Sequence, residues 1–423
     1  MQPRPGTLPT RLRTAAVAVV LVVMAVGLLL IWPSRQITVD ERLLVPRIPS
    51  GGTNGNAVVL LDQAWSRFRS TNELSELRQA LNRNKPLDIE KARRIVATEG
   101  ETLRLIHEAF RQQECELLAP PSRGTNPTIR RGWPSMMRLS ILEAEFQEQS
   151  SRLNLLEHSM DVIRLSHRLE DSGGGSWEYL QAMSAKIQGL ETMRRFAGEA
   201  EIDPQVLIRL AAELARYPAN GSGLSNAFRW DFVSNFQFMT NQMSFVSSPT
   251  NSAVSIPTPT FLFDGDRVRQ LSAVRTFEFL ASIQPRWVAS PVRQIVASRK
   301  QPMGWLSLLR GNAAGVVIQE SLEEEGVLLV ESKCREVNEV SATRVILALR
   351  AHQLMKGDLP SSLDALVPAF LDEVPLDNFD GQPLRYSREK RLVWSVGTDL
   401  RDNGGVAQDA QRKRLDDTFE LGW

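Results

Sequence analysis

Residues 176–214 read SWEYLQAMSAKIQGLETMRRFAGEAEIDPQVLIRLAAEL, and this stretch decides the fold class. Trp177, Leu180, Met183, Ile187, Leu190, Met193 and Phe196 recur at helical intervals and lay one apolar stripe along a helix. Ser176 is placed to cap it. Asp203 followed by Pro204 is an N-cap with a first-turn proline, which opens a further helix through Leu207, Leu210 and Leu214. The stripe before them, Leu139, Leu142, Phe146, Leu153, Leu156, Met160 and Ile163, ends at Gly173–Gly175. Farther upstream, Asp88 opens a helix carrying Ala92, Ile95, Val96, Leu103, Ile106 and Phe110 and running to about Leu118. Four prolines and two glycines between Ala119 and Pro134 then break the pattern.

Amphipathic helices joined by short connections pack as antiparallel neighbours, so an α-helical, solenoid-like body is expected over 57–339. No clean 34-residue period marks a tetratricopeptide array. Residues 244–260, rich in Ser, Thr, Asn and Pro, read as a long loop, and helical signals resume at Arg267–Ile283. The run Glu323–Glu325 reads as a solvated charged face.

Thr14–Trp32 is nineteen residues without a charge, about 28 Å as a helix against a hydrocarbon core of about 30 Å. Its eleven Leu, Ile and Val residues contribute roughly −3 to −6 kcal/mol of insertion free energy. Arg4, Arg11 and Arg13 precede it and the first acidic residue is Asp40, so residues 1–13 are expected in the cytoplasm and the remainder outside it. The apolar stretch exceeds the usual length of a signal peptide, and WPSRQ offers no small-x-small cleavage site. The expectation is a single-pass anchor in a bacterial inner membrane, in contact with lipid through Thr14–Trp32, with a periplasmic body. Residues 33–56 are the linker, and Pro46–Asn56 reads as a flexible tether.

The chain has 423 residues, 50 Lys and Arg against 49 Asp and Glu, and two cysteines. A net charge of +1 gives no electrostatic reason to bind nucleic acid. Two cysteines exclude a disulfide-dense scaffold and a four-cysteine metal site. In an oxidising compartment Cys115 and Cys334 either pair or stand as two buried thiols, and spacing does not choose between them.

Catalytic patterns are missing from the sequence. His107-Glu108 has Arg111 where a zinc-protease helix needs its second histidine, and His158, His167 and His352 read as packed or surface residues. Gly173-Gly-Gly-Ser176 lacks a phosphate-loop lysine. Ser387-Arg-Glu-Lys390 has Ser-x-x-Lys spacing but falls in a polar hairpin turn, not at a helix start.

The C-terminal part offers more chemistry. Ser361 and Asp364 read as a capping box for a short helix, and Leu384–Tyr386 and Arg391–Val396 as two short strands. After the second strand, SVGTDLRDNGG (395–405) is a glycine-rich acidic loop, with Asp416-Asp417 near the terminus. Carboxylates on turns that expose carbonyls suit calcium. Read as an EF-hand the loop fails, with Arg401 at its third position and Ala410 at its twelfth. An acidic surface turn stabilised by Asn and Gly is the other reading.

Three segments occur in order: ALRAHQLMKGDLPSSLDALV (348–367), VPLDNFDGQPLRY (374–386), and WSVGTDLRDNGG (394–405) with DDTF (416–419). Together they resemble the soluble domain of the type II secretion system major pseudopilin. The resemblance covers about a fifth of the chain and implies a small α+β unit over 340–423 whose final loop binds calcium through Asp399, Asp416 and Asp417. Leu400 stands where that family has a glycine, and Val406–Leu415 is a longer, basic insert. A pilin subunit also needs its membrane helix fused directly to this domain. Here Gly6 precedes Thr-Leu-Pro-Thr-Arg and a long body intervenes, so a polymerising subunit is not expected. The layout resembles uncharacterised membrane-anchored envelope proteins of bacteria. The function expected is non-enzymatic and interactive, with a protein partner in the envelope and an association with type II secretion or pilus-like machinery. The alternative is an anchored periplasmic hydrolase whose site is assembled from distant helices.

Overall fold

The computed structural model describes residues 40–82, 88–118, 132–146, 152–198, 202–242, 265–298 and 313–423. The expected anchor, Thr14–Trp32, and the expected loop, 244–260, lie outside the described residues. Among the described residues no helix is long and apolar enough to cross a membrane.

The described residues are mainly helical and hold one small sheet. The helices are α1 (Ala57–Arg67), α2 (Thr71–Asn82), α3 (Ile89–Thr98), α4 (Gly100–Arg111), α5 (Trp133–Phe146), α6 (Arg152–Glu170), α7 (Ser176–Ala197), α8 (Pro204–Leu214), α9 (Gly221–Gln242), α10 (Gly265–Ala281), α11 (Pro291–Ser298) and α12 (Ala313–Lys356). Strands β1 (Arg385–Ser387), β2 (Leu392–Ser395) and β3 (Asp417–Glu420) form an antiparallel sheet in that spatial order.

Local chemistry sets several helix starts. Asp203 accepts from the Gln205 amide at 2.9 Å with Pro204 in the first turn of α8. Asp88 accepts from Lys91 N at 3.0 Å and opens α3. Ser176 is not the cap of α7; Gly175 is, its N–H held by Glu178 Oε2 at 3.1 Å. The single helix expected from Asp88 to Leu118 is two, because the buried Glu99 turns its carboxylate to Arg69 N, Ser70 N and the Thr102 hydroxyl at the α3–α4 junction.

The solenoid-like expectation needs correction. Helices α6 and α7 do form a tight antiparallel pair, and Gly189 permits it: a Cβ there would stand 2.9 Å from the Ser159 carbonyl. But α12, from the C-terminal third of the chain, packs against α7, α8 and α10. A serial stack has only neighbour contacts, whereas this body is built around a helix that arrives last. Val340, Val345, Ile346 and Leu349 of α12 share one core with Leu190, Met193, Leu207 and Leu210. Because α12 is continuous from Ala313 to Lys356, the expected boundary at 339/340 falls inside a helix, and body and C-terminal unit share it.

Two smaller expectations also change. Glu323 is buried and paired with Arg275 at 2.7 Å, so only Glu324 and Glu325 of that acidic run face solvent. Residues 46–56 are no loose tether. Arg47 N donates to Asn226 at 2.6 Å, Gly52 N to Glu114 at 2.6 Å, and Asn56 Nδ2 to the Glu116 carbonyl at 2.7 Å. Turn-rich composition left the backbone free to bend, and the acidic side chains that pin it come from residues 114–116.

Candidate functional site

The C-terminal unit sits on α12. Strand β2 is buried along its length, with β1 and β3 on either side. The strands at 385–387 and 392–395 agree with the pattern, and β3 begins at Asp417, which the pattern did not mark as a strand. The capping box at Ser361 does not form. Ser362 occupies the cap of a single 3₁₀ turn, Leu363–Leu366, without a side-chain bond.

Asp377 is the polar centre of this unit. It is fully buried, and its two oxygens accept from Asn338 Nδ2 (2.8 Å), Ser395 Oγ (2.9 Å), Phe379 N (2.9 Å), Val396 N (2.9 Å) and Arg385 (3.0 Å). Asn338 belongs to α12, so one carboxylate ties the long helix, the 377–381 turn and the end of β2 together.

The acidic loop follows. Gly397 takes φ +66°, and a Cβ there would stand 2.5 Å from the Leu415 carbonyl, so only glycine fits this close approach. Leu400 also takes a left-handed conformation, φ +59°, at the position where the pseudopilin pattern has glycine. The left-handed turn is made here by a leucine.

The three expected ligands are placed as follows. Asp399 Oδ1 accepts from Arg401 N at 3.0 Å, and Asp416 accepts from Asn403 N at 3.2 Å and Gly405 N at 2.8 Å. The Asn403 side-chain amide spans the two, 3.5 Å from Asp399 and 3.3 Å from Asp416. Asp417, next along an extended strand, points away from Asp416 and pairs with Arg414 at 2.6 Å and Arg335 of α12 at 3.7 Å. The fold therefore brings Asp399 and Asp416 to one loop and sends Asp417 to two arginines. Among the described residues no group of three or more His, Cys, Asp and Glu side chains is arranged to hold a metal ion.

A second gathering of charge lies where α6, α7 and α12 cross. Lys186 Nζ is 2.7 Å from Glu170 Oε1 and 2.5 Å from Glu336 Oε1, and all three side chains are fully buried. The ammonium also reaches the Pro218 carbonyl at 3.0 Å and His167 Nδ1 at 3.2 Å. Tyr179 donates to Glu336 Oε2 at 3.1 Å, and Asn220 N donates to Glu170 Oε2 at 3.0 Å. Burial, helped by the neighbouring Glu170, pushes the Glu336 carboxyl up to about 8, so Glu336 is the member that holds a proton near neutrality. Burial opposes the charge on Lys186, but the two glutamates overcome it and hold its pKa above the usual value. His167 is held down to about 4 by burial and by the adjacent ammonium. A charged lysine surrounded by acceptors is no nucleophile. The cluster fixes three helices in register.

A signal for this cluster was present in the sequence. Lys186 stands three residues after Met183 and four before Leu190, inside the apolar stripe of α7. The small Ala182, Ala185 and Gly189 beside it leave room for a neighbouring helix to enclose it, and a buried lysine needs carboxylates. Which carboxylates was not readable, because Glu336 lies 150 residues away.

The remaining histidines are packed or capped by neighbours. His107 meets Glu143 at 2.6 Å, with the His158 ring 6.1 Å away, and His158 meets Ser140 at 3.2 Å. His352 meets the Asp358 carbonyl at 2.9 Å. Cys115 and Cys334 are separate buried free thiols in different cores, so the pairing alternative is set aside.

No protein-family model, curated protein or solved structure matches this chain.

Proposed function

We propose that the chain is a non-enzymatic, single-pass envelope protein of a bacterial inner membrane, displaying one rigid interaction module outside the cytoplasm beside type II secretion or pilus-like machinery. One observation carries this reading. The long helix that leads into the pseudopilin-like unit is enclosed by its own chain, with Cys334, Glu336, Asn338, Val345 and Ile346 of α12 all buried. A polymerising subunit needs its long helix free to continue into a membrane segment and to pack on other copies. Here those faces are taken by α7, α8 and α10, which suits display of the unit on a separate anchor.

Calcium in the 397–417 loop belongs to the same proposal. It is supported by the resemblance, by the left-handed turn at Leu400, and by Asp399 and Asp416 sharing one Asn403 amide.

The test of placement is impermeant thiol labelling of an Asn54→Cys variant, at an exposed position after the expected anchor. Both native thiols are buried, so the new cysteine is the accessible one. Labelling of spheroplasts before lysis is expected, together with an intact N-terminus by mass spectrometry. Labelling only after lysis would overturn the placement, and cleavage before Thr7 would favour a processed pseudopilin.

A further inference from the structure

The first described segment, residues 40–50, carries an unusual surface. Leu43, Val45 and Ile48 are 60%, 64% and 67% exposed, the three highest values for large hydrophobic side chains among the described residues. They stand within six positions of one another. Leu44 and Pro46 between them turn the other way, Leu44 buried against Phe232 and Ala273, and Pro49 just beyond packs against Gly173. The strap is thus two-faced, with an inner side sealed to the body and an outer side of three aliphatic knobs.

The knobs are held rigidly. Glu41 takes Arg269 in a two-pronged pair at 2.6–3.0 Å, Arg229 Nε donates to the Leu43 carbonyl at 3.1 Å, and Arg47 reaches Asn226, Glu116 and the Asp171 carbonyl. A segment with this many cross-chain bonds does not fold its apolar side chains inward when water is the only neighbour, so their exposure persists. Isolated exposed aliphatics are ordinary, whereas three on one fixed strap form a surface with a use.

Position along the chain selects the occupant. The uncharged stretch ends at Trp32 and the described fold begins at Asp40, with residues 33–39 between. Seven extended residues reach at most about 24 Å, so the strap starts close to the bilayer surface. Residues 40–50 carry no net charge, and Arg47 is engaged with Glu116 and Asp171, so nothing electrostatic keeps the exposed aliphatic side chains away from a lipid interface. We infer that Leu43, Val45 and Ile48 rest in the interfacial region of the leaflet from which the anchor emerges, fixing the orientation of the body over the membrane. This rests on the anchor reading above, and the experiment separates the two.

Full-length variants Leu43→Cys, Val45→Cys and Ile48→Cys, each carrying an environment-sensitive fluorophore, would be reconstituted in vesicles containing lipids nitroxide-labelled at the headgroup or deep in the acyl chain. Leu21→Cys reports the anchor, and Asp364→Cys, exposed in the C-terminal unit, is the aqueous control. Expected is blue-shifted emission at 43, 45 and 48, with headgroup quenching at least about two-fold above the control, and deep quenching at 21. Deep quenching at 21 with strap labels that behave like the control overturns this inference and leaves the anchor standing. No lipid quenching at either place overturns both. A blue shift at the strap without lipid quenching means that a second copy or residues 33–39 cover the knobs, and that also overturns the inference.

Discussion

Lys186 Nζ and Glu170 Oε1 stand 2.7 Å apart with neither side chain exposed, and Glu336 closes the group from a helix 150 residues farther along. Breaking such a group from the lysine side leaves two carboxyls in a dry core without a cation. Lys186→Met is therefore expected to lose about 3–5 kcal/mol at neutral pH. The loss should shrink at pH 5, where the Glu336 carboxyl holds its proton most fully. Urea unfolding at the two pH values checks this, and equal losses would count against an electrostatic origin.

Glu336 sets a pH dependence of its own. Its folded pKa, pushed up to about 8 by burial and by Glu170, lies above the 4.5 of an unfolded glutamate. The folded state therefore binds the proton more tightly. That contribution to stability is full below about pH 4.5 and is lost as pH rises through about 8. Melting temperature should fall by several degrees between pH 5 and 9 in the parent. Glu336→Gln, which mimics the protonated form, should flatten the curve.

Asp377 is the corresponding centre of the C-terminal unit. Asp377→Ala leaves the Phe379 and Val396 amides without their acceptor and takes one partner each from Ser395, Asn338 and Arg385, the last of which keeps Asp380. An expected loss of about 3–5 kcal/mol follows from leaving two buried backbone amides without an acceptor and weakening the bonds around them. Trp394 on β2 reports it by fluorescence during denaturation.

The loop prediction separates structure from metal. Asp416→Ala should destabilise the full chain even in chelator, by about 1–3 kcal/mol, because the Asn403 and Gly405 amides lose their acceptor. Calcium binding adds a second effect: a rise of several degrees in the parent on replacing chelator with calcium, absent in the variant. Overlapping parent curves would remove calcium from the proposal and leave the amide role of Asp416.

The strap offers the simplest check of packing. Glu114→Ala with Glu116→Ala removes the acceptors for Gly52 N, Ser50 N and the Arg47 guanidinium. Faster amide exchange and new proteolytic cuts within 46–56 are expected, with little change in the global transition.

Local pattern was enough for the helices that carry their own caps. Asp88 and Asp203 act within three residues of the backbone they cap, and spacing alone gives the helix over 176–197, although the face it buries runs through Tyr179, Ala182, Ala185 and Lys186 while Trp177 is exposed. The same holds for β1 and β2, whose β-prone residues and turn residues lie within a dozen positions. Two misreadings show where local pattern stops. Glu323 looked solvated beside Glu324 and Glu325, and only Arg275 on α10 explains its burial. Pro46–Asn56 looked like a tether because its composition is turn-rich, and it is Glu114, Glu116 and Asn226 that immobilise it.

Sequence alone therefore determined the helical class, the apolar stretch at 14–32, and the order of motifs in the C-terminal unit, since each depends on neighbours along the chain. Tertiary structure decided that α12 threads both parts, that Lys186 meets Glu170 and Glu336, and that Asp417 turns to Arg335 rather than to Asp416. Those pairings join residues tens to more than a hundred positions apart. Electrostatic partnership in a dry core depends on distance in space, which no spacing in the chain encodes.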